Sequence, residues 1–275
     1  MKKTVFFLVV LISSLNISFS QYYYNDLITT QQTNKQYLLL KNNHAHQVSA
    51  ASYEASGELT DHFMLEQKIS ADNNVITTTT EYPSTGKSVS TAFYTNDKVS
   101  KTINNAGNIQ STTLYTYDNN NLQSITTQTQ DTFMHGSSQE VHQWQYENNQ
   151  PVKMLLIKDN EDTTVIEFVK DEQGNIAEEH WRKKGRLIEK YFYYYNDQRL
   201  LTDIVRFNAK AQRLLPDFLF EYDSNGTLVQ LTQIPQGSDN YLVWQYIYLP
   251  NGLKQKELCL NKQKQPVGRI EYNYH

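Results

Sequence analysis

The sequence predicts an all-β protein, an elongated twisted antiparallel β-meander of about eight hairpin repeats with a short N-terminal helix. Three observations predict it. An aromatic-rich unit recurs every 23–29 residues along most of the chain. The segments between units are Asn, Asp and Gly turns at the spacing of short strands. Tyr and Thr, both strand formers, dominate the composition, with 20 Tyr in 275 residues.

Taken in order, the chain opens with Lys2 and Lys3, an apolar run from Val5 to Ile12, and Ser18-x-Ser20 before Gln21. That pattern is a secretory signal peptide over residues 1–20, too short to span a bilayer. Residues 21–46 read as a helical segment. Asn25 or Asp26 can cap it, Leu27, Thr30, Asn34, Leu38 and Lys41 share one face, and Asn42-Asn43 end it. Residues 47–275 form one β-repeat domain. Its first strands lie around Gln47 to Tyr53, Met64 to Ile69 and Val75 to Glu81, and the repeat is regular from about residue 82.

One anchor per unit gives Tyr94, Tyr117, Tyr146, Val169, Tyr195, Tyr222, Tyr248 and Tyr274. Each anchor ends an alternating aromatic strand and precedes a turn. Tyr115-Thr116-Tyr117 runs into Asp118-Asn119-Asn120-Asn121, and Phe218-Leu219-Phe220-Glu221-Tyr222 into Asp223-Ser224-Asn225-Gly226. Aromatic residues two apart point to one face of the sheet, so stacked repeats make a ladder of rings.

Composition narrows the function classes. The chain is 39% hydrophobic and 20% charged with net charge −4, and its mean hydropathy is −0.65. Mild acidity argues against a nucleic-acid partner. Cys259 is the one cysteine, so no intrachain disulfide forms, and its place in Leu258-Cys259-Leu260 predicts a packed thiol.

The ring ladder has two readings: cross-strand packing that supplies the core, or a platform for sugars and other flat ligands. The residues proposed for binding are Trp181, on a different phase from the anchors, with Trp144, Trp244, Tyr193 and Tyr195. Trp144 and Trp244 are expected to serve the core first. Three histidine pairs have strand spacing, His44/His46, His142 with Glu140, and His180 with Glu178, but each supplies only two of the ligands zinc needs. Asp118–Asn121 and Asp159–Asp162 hold oxygen ligands without the spacing of a calcium loop, and hairpin turns require such residues anyway. No metal or cofactor is expected. The chain lacks G-x-S-x-G, a Gly-rich phosphate loop, C-x-x-C and H-E-x-x-H, so no catalytic residue is assigned. Trp181-Arg182-Lys183-Lys184-Gly185-Arg186 is a basic cluster suited to a solvated turn or an anionic partner.

The frame aromatic-x-Tyr-Asp-x-x-Gly-x-Leu resembles the YD repeats of RHS-type proteins, in particular exported ones of an uncharacterised Bacteroidetes type. Phe220-Glu221-Tyr222-Asp223-Ser224-Asn225-Gly226-Thr227-Leu228 matches it best. Tyr117-Asp118 keeps the dipeptide without the glycine, and Trp144 to Val152 replaces both Asp and Gly. The resemblance covers roughly residues 82–275. It implies a twisted antiparallel sheet, a shell or ribbon, with no catalytic residues to carry over. The chain ends inside a repeat at Tyr272-Asn273-Tyr274-His275, which separates it from relatives whose shells enclose a toxin.

These readings converge on an exported, non-catalytic scaffold of the periplasm or cell surface, with an envelope protein or a polysaccharide as partner. It is expected not to span the membrane. A glycan-active enzyme is one alternative. An outer-membrane β-barrel is another, disfavoured because Glu178, His180 and Arg182 occupy one strand phase and Glu179 the other, where a lipid-facing strand needs one clean apolar phase.

Overall fold

A computed structural model describes residues 21–208, 212–235 and 240–275; the signal-peptide reading of residues 1–20 lies outside them. A π-helical turn, Tyr23–Ile28, runs into α1, Thr29–Asn42. The strands follow as β1 Gln47–Glu54, β2 Met64–Ile69, β3 Val75–Tyr82, β4 Gly86–Thr95, β5 Lys98–Ala106 and β6 Ile109–Asp118. Next come β7 Asn121–Asp131, β8 Ser137–Glu147, β9 Gln150–Lys158, β10 Asp162–Lys170, β11 Ile176–Lys183 and β12 Arg186–Tyr195. The last are β13 Leu201–Asn208, β14 Arg213–Tyr222, β15 Leu228–Gln233, β16 Leu242–Tyr248, β17 Lys254–Asn261 and β18 Pro266–Tyr274.

Each strand pairs antiparallel with its neighbour in sequence, as a meander should. The sheet is not an open ribbon, however. β18 returns to β1, with Val48 opposite Tyr274 and Glu54 opposite Gly268, and the 18-stranded sheet closes into a barrel. This corrects the expectation of an elongated, open meander. Two free edges would leave rows of backbone donors and acceptors unpaired, and closure removes both. β1 carries neither Lys nor Pro to guard an edge.

The repeat has a structural meaning. Its eight anchors sit at or near the ends of β4, β6, β8, β10, β12, β14, β16 and β18, so all reach the same rim of the barrel. The strand register slips at Tyr94, Tyr117, Tyr146, Tyr195, Tyr222 and Tyr248, the signature of a bulge. Six anchors then donate their hydroxyls to a main-chain carbonyl one repeat earlier. Tyr117 bonds Val99, Tyr146 bonds Leu122, and Tyr195 bonds Ile176. Tyr222 bonds Leu201, Tyr248 bonds Leu228, and Tyr274 bonds Lys254.

The turns at this tyrosine rim follow from their residues. Asn119 and Asn120 take φ of 46° and 77°, and in the YD-like unit Asp223 Oδ1 accepts from the N–H groups of Asn225 and Thr227. Gly226 takes φ +77°, and a Cβ there would also stand 3.3 Å from Leu200. At the opposite rim, Asp159 and Asn160 likewise take positive φ, as a tight hairpin requires.

α1 and the turn before it occupy the lumen. Asn34 accepts from the Val99 N–H of β5, Tyr37 stacks on Tyr94 of β4 at 3.9 Å, and Lys41 pairs with Asp97. Tyr24 packs on Phe218 and Phe220 of β14, far round the ring, while Leu39 lies against Gly252 between β16 and β17. The helix is therefore contacted on several sides, and its buried residues, Tyr24, Asp26, Leu27, Thr30, Tyr37 and Leu40, are not confined to the face read from the sequence. α1 ends at the tyrosine rim, where His275 O accepts from the His46 and Gln47 N–H groups.

Candidate functional site

One group of buried polar side chains gathers where the helical segment begins. Its first N–H groups have no partner within a helix, and no side chain of its own caps them. Glu179 of β11 fills that role. Its carboxylate accepts from Tyr22 N at 2.9 Å and Tyr23 N at 3.0 Å, from Trp181 Nε1 at 2.7 Å and from Tyr193 Oη at 2.6 Å. Glu179 is wholly buried; burial pushes its carboxyl up to about 7 against the pull of those four donors. Asp217 of β14 accepts from Gln21 Nε2 at 2.7 Å and pairs with Arg206 at 3.0 Å. Burial raises Asp217 to about 6 despite Arg206.

One turn further along, Asp26 Oδ2 contacts His142 Nδ1 at 2.7 Å and accepts from Trp144 Nε1 at 3.1 Å. His142 Nε2 contacts Glu140 at 2.9 Å, and Lys158 pairs with Glu140 at 2.9 Å. Burial works to discharge His142, but Asp26 and Glu140 outweigh it and raise the ring to about 10. The His142 hydrogen bond, helped by Lys158, holds Glu140 down at about 2. An imidazolium with a carboxylate on each nitrogen has no free lone pair near neutral pH, so it supplies no general base. What the cluster does is fasten the helix to β8.

The aromatic residues singled out in the sequence sit around the same seam or in the adjoining core. Trp144 is 3% exposed and stacked on Phe168 at 5.1 Å. Trp181 is half-buried and stacked on Tyr22 at 4.8 Å. Tyr193 is buried on Glu179, Tyr195 is a carbonyl lock of the rim, and Trp244 is buried on β16. Their ring faces meet the chain's own helix and core. Sequence reasoning missed Gln21, Asp26, Glu179 and Asp217. Trp181 does not lie on a phase of its own: it points inward with the other rings, and Glu179, opposite Phe168 and Tyr191, is a carboxylate on that same inward face. At the tyrosine rim a hollow of about 520 Å³ opens between the β6–β7 and β8–β9 turns, lined by Asn119, Asn121, Asn148, Asn149, Gln145 and Tyr146. Its amides suit a hydroxyl-rich ligand. Cys259 is buried against Trp244, and burial pushes its thiol up to about 12.

The outward face of the same strands is charged. Arg182 pairs with Glu167 at 2.8 Å, Lys190 with Glu178 at 2.7 Å, and Glu271 with Lys256 and Arg269 at 2.9 Å each.

Neither a family model nor a curated protein sequence matches the chain, so the YD-repeat resemblance stands on its motif residues alone. Among solved structures, the chain is similar to a porin-like protein from Bacteroides uniformis, at 8% identity and TM-score 0.39, over 84% of this chain and 98% of that one. A porin-like protein from Bacteroides vulgatus gives 11% identity and TM-score 0.28 over the same shares. A TcdB2–TccC3–Cdc42 complex gives 13% identity and TM-score 0.32, over 80% of this chain and 14% of that one. At such scores the barrel rests on its own strand ladder rather than on these likenesses. That ladder also corrects the expectation that the chain does not span a membrane. No helix among the described residues is long and apolar enough to cross, but a closed sheet can cross with its strands, so the ground for that expectation is gone.

Proposed function

We propose that this chain is an exported, non-catalytic barrel of the cell envelope, closed internally by its own N-terminal helix, that binds an envelope protein or polysaccharide through its rims and wall. The observation that supports this reading is the seated helix. Glu179, Asp217 and the buried His142 hold Gln21, Tyr22, Tyr23 and Asp26, while a further buried carboxylate, Glu257, is held by Lys254 and Tyr272 within the wall. Co-sedimentation of residues 21–275 with isolated envelopes, before and after enzymatic removal of glycans, tests it. Pelleting that disappears with the glycans makes the partner a polysaccharide and directs attention to the amide-lined hollow. Pelleting that survives stripping makes it a protein. No pelleting overturns the envelope-binding part of the reading.

An outer-membrane barrel is the second reading, and closure of the sheet is what favours it. That placement needs the outward charges to lie near the interfaces. A Lys or Arg facing lipid at the midplane costs about 2–4 kcal/mol, against about 0–1 near the headgroups. Heat-modifiable migration on a gel, together with carbonate-resistant pelleting from the native host, identifies this placement. With the helix seated, such a barrel conducts no ions in a planar bilayer.

A further inference from the structure

Gln21 is the residue that the predicted cleavage after Ser20 makes the new N-terminus, and it is 2% exposed in the barrel interior. Its side-chain amide donates to Asp217, the next two N–H groups donate to Glu179, and its own Oε1 is buried without a partner. Around it the lumen is short of positive charge. Asp217 pairs with Arg206, whose side chain is 12% exposed, and also feels the negative charge of the half-buried Glu189, while the four partners of Glu179 are all neutral donors. Buried carboxylates are stable only when paired and hydrogen-bonded.

We propose that Glu179 and Asp217, with Arg206, form a receptor for the processed N-terminus of this chain. Cleavage between Ser20 and Gln21 creates an α-ammonium one residue before the Tyr22 N–H that Glu179 already holds. In the proposed receptor that ammonium is the missing cation for the carboxylates and a new donor beside the unpartnered Gln21 Oε1. Any residue preceding Gln21 replaces the ammonium with a neutral amide, which cannot pair with the carboxylates. Processing is therefore the step that lets the helix seat fully and the barrel reach its final stability. Holding the Gln21 amide on Asp217 also keeps it from cyclising, a reaction in which the α-nitrogen attacks the side-chain carboxamide carbon and ammonia leaves.

The inference rests on the reading of the helix as the lumen's plug, and the test separates the two. Residues 21–275 are prepared with a free Gln21 by cleaving a fusion, and again with Gly-Ser-Gly left in front. The extended protein is expected to melt lower by roughly 5 °C or more. Glu179→Gln should lower the Tm of the processed protein by several degrees and that of the extended protein by clearly less. The intact mass of protein exported by the native host should correspond to an N-terminal Gln21 that has not lost ammonia. Equal melting of the two proteins, a mature N-terminus elsewhere or a cyclised Gln21 would each overturn the receptor. Trypsin reports on the plug independently. Cleavage at Lys35 and Lys41 in both proteins means the helix is not in the lumen. Resistance in both proteins with equal Tm leaves the plug standing and removes the receptor alone.

Discussion

The two faces of β11 carry similar residues at very different stakes. Outward, Glu178, His180 and Arg182 pair with one another or with neighbouring strands at side-chain exposures between 17% and 37%. Inward, Glu179 is wholly buried and Trp181 stacks on Tyr22. Both phases contain charge, which in the sequence counts against a barrel. That test detects lipid contact, not closure. A closed barrel can be charged outside when water or headgroups meet it, and it can hold a carboxylate inside when enough donors are supplied. Glu179 has four.

Substitutions that strip the inward face should therefore cost far more than the same changes outside. Glu179→Ala leaves two main-chain N–H groups, the Trp181 N–H and the Tyr193 hydroxyl unpaired in the lumen. The expected loss is about 3–5 kcal/mol, measured by urea unfolding followed by tryptophan fluorescence. A loss under about 1 kcal/mol, the scale of a single hydrogen bond, would erase the contrast between the faces.

Asp26→Asn is the next largest. It weakens a hydrogen bond to a charged partner, for about 1.5–3 kcal/mol, and it also predicts a pH effect. The folded-state value of His142 is raised to about 10 from an ordinary 6.5. Its contribution to stability is thus complete below about pH 6.5 and is lost as pH rises through about 10. Melting of the native protein from pH 7 to 11 should show that loss, and the Asp26→Asn variant should flatten it. An identical pH profile in both proteins would separate His142 from Asp26.

Much of this fold could be read in the sequence because its information is local. Tyr before Asp or Asn before Gly specifies a strand end and its turn within five or six residues, which is why the eight anchors fall on eight alternate strands. The end of the helix was readable for the same reason, since Asn42-Asn43 stop it, but its start was not: Asn25 and Asp26 lie inside a helical turn that begins at Tyr23 and is held by Glu179 from the wall instead of by a cap of its own. Closure was not readable, because it depends on Val48 meeting Tyr274 across nearly the whole chain. One clue was the unguarded β1, which has neither Lys nor Pro along Gln47–Glu54. The seam was hidden likewise. Gln21 and Asp217 are 196 positions apart, and Asp26 and His142 are 116. Exposed rings stack ligands, which is why aromatic residues are the sequence's binding candidates, yet phase alone does not say whether a ring meets solvent or a helix laid in the barrel.

At the rim, Tyr222→Phe keeps the ring and removes only the hydroxyl bond to Leu201 O. About 0.5–1.5 kcal/mol is expected, together with faster amide exchange in the β12–β13 turn it clamps. Unchanged exchange there would mean that the bulge, not the hydroxyl, holds the rim.

The smallest effect belongs to the outward face. Arg182→Ala removes a pair whose members are 37% and 42% exposed, and such pairs contribute about 0–1 kcal/mol in water. Salt should barely alter the difference between variant and native protein, since little Coulomb energy is there to screen. The experiment sharpens the contrast most when done twice, in buffer and after reconstitution with lipid. If the outward face meets water, the variant is nearly neutral in both. If Arg182 faces lipid, removing a charge from the wall should stabilise the lipid-bound form by a measurable amount, up to about 2–4 kcal/mol at midplane depth. One residue, opposite in phase to Glu179 and three positions along the strand, thus reports what surrounds the barrel as Glu179 reports what fills it.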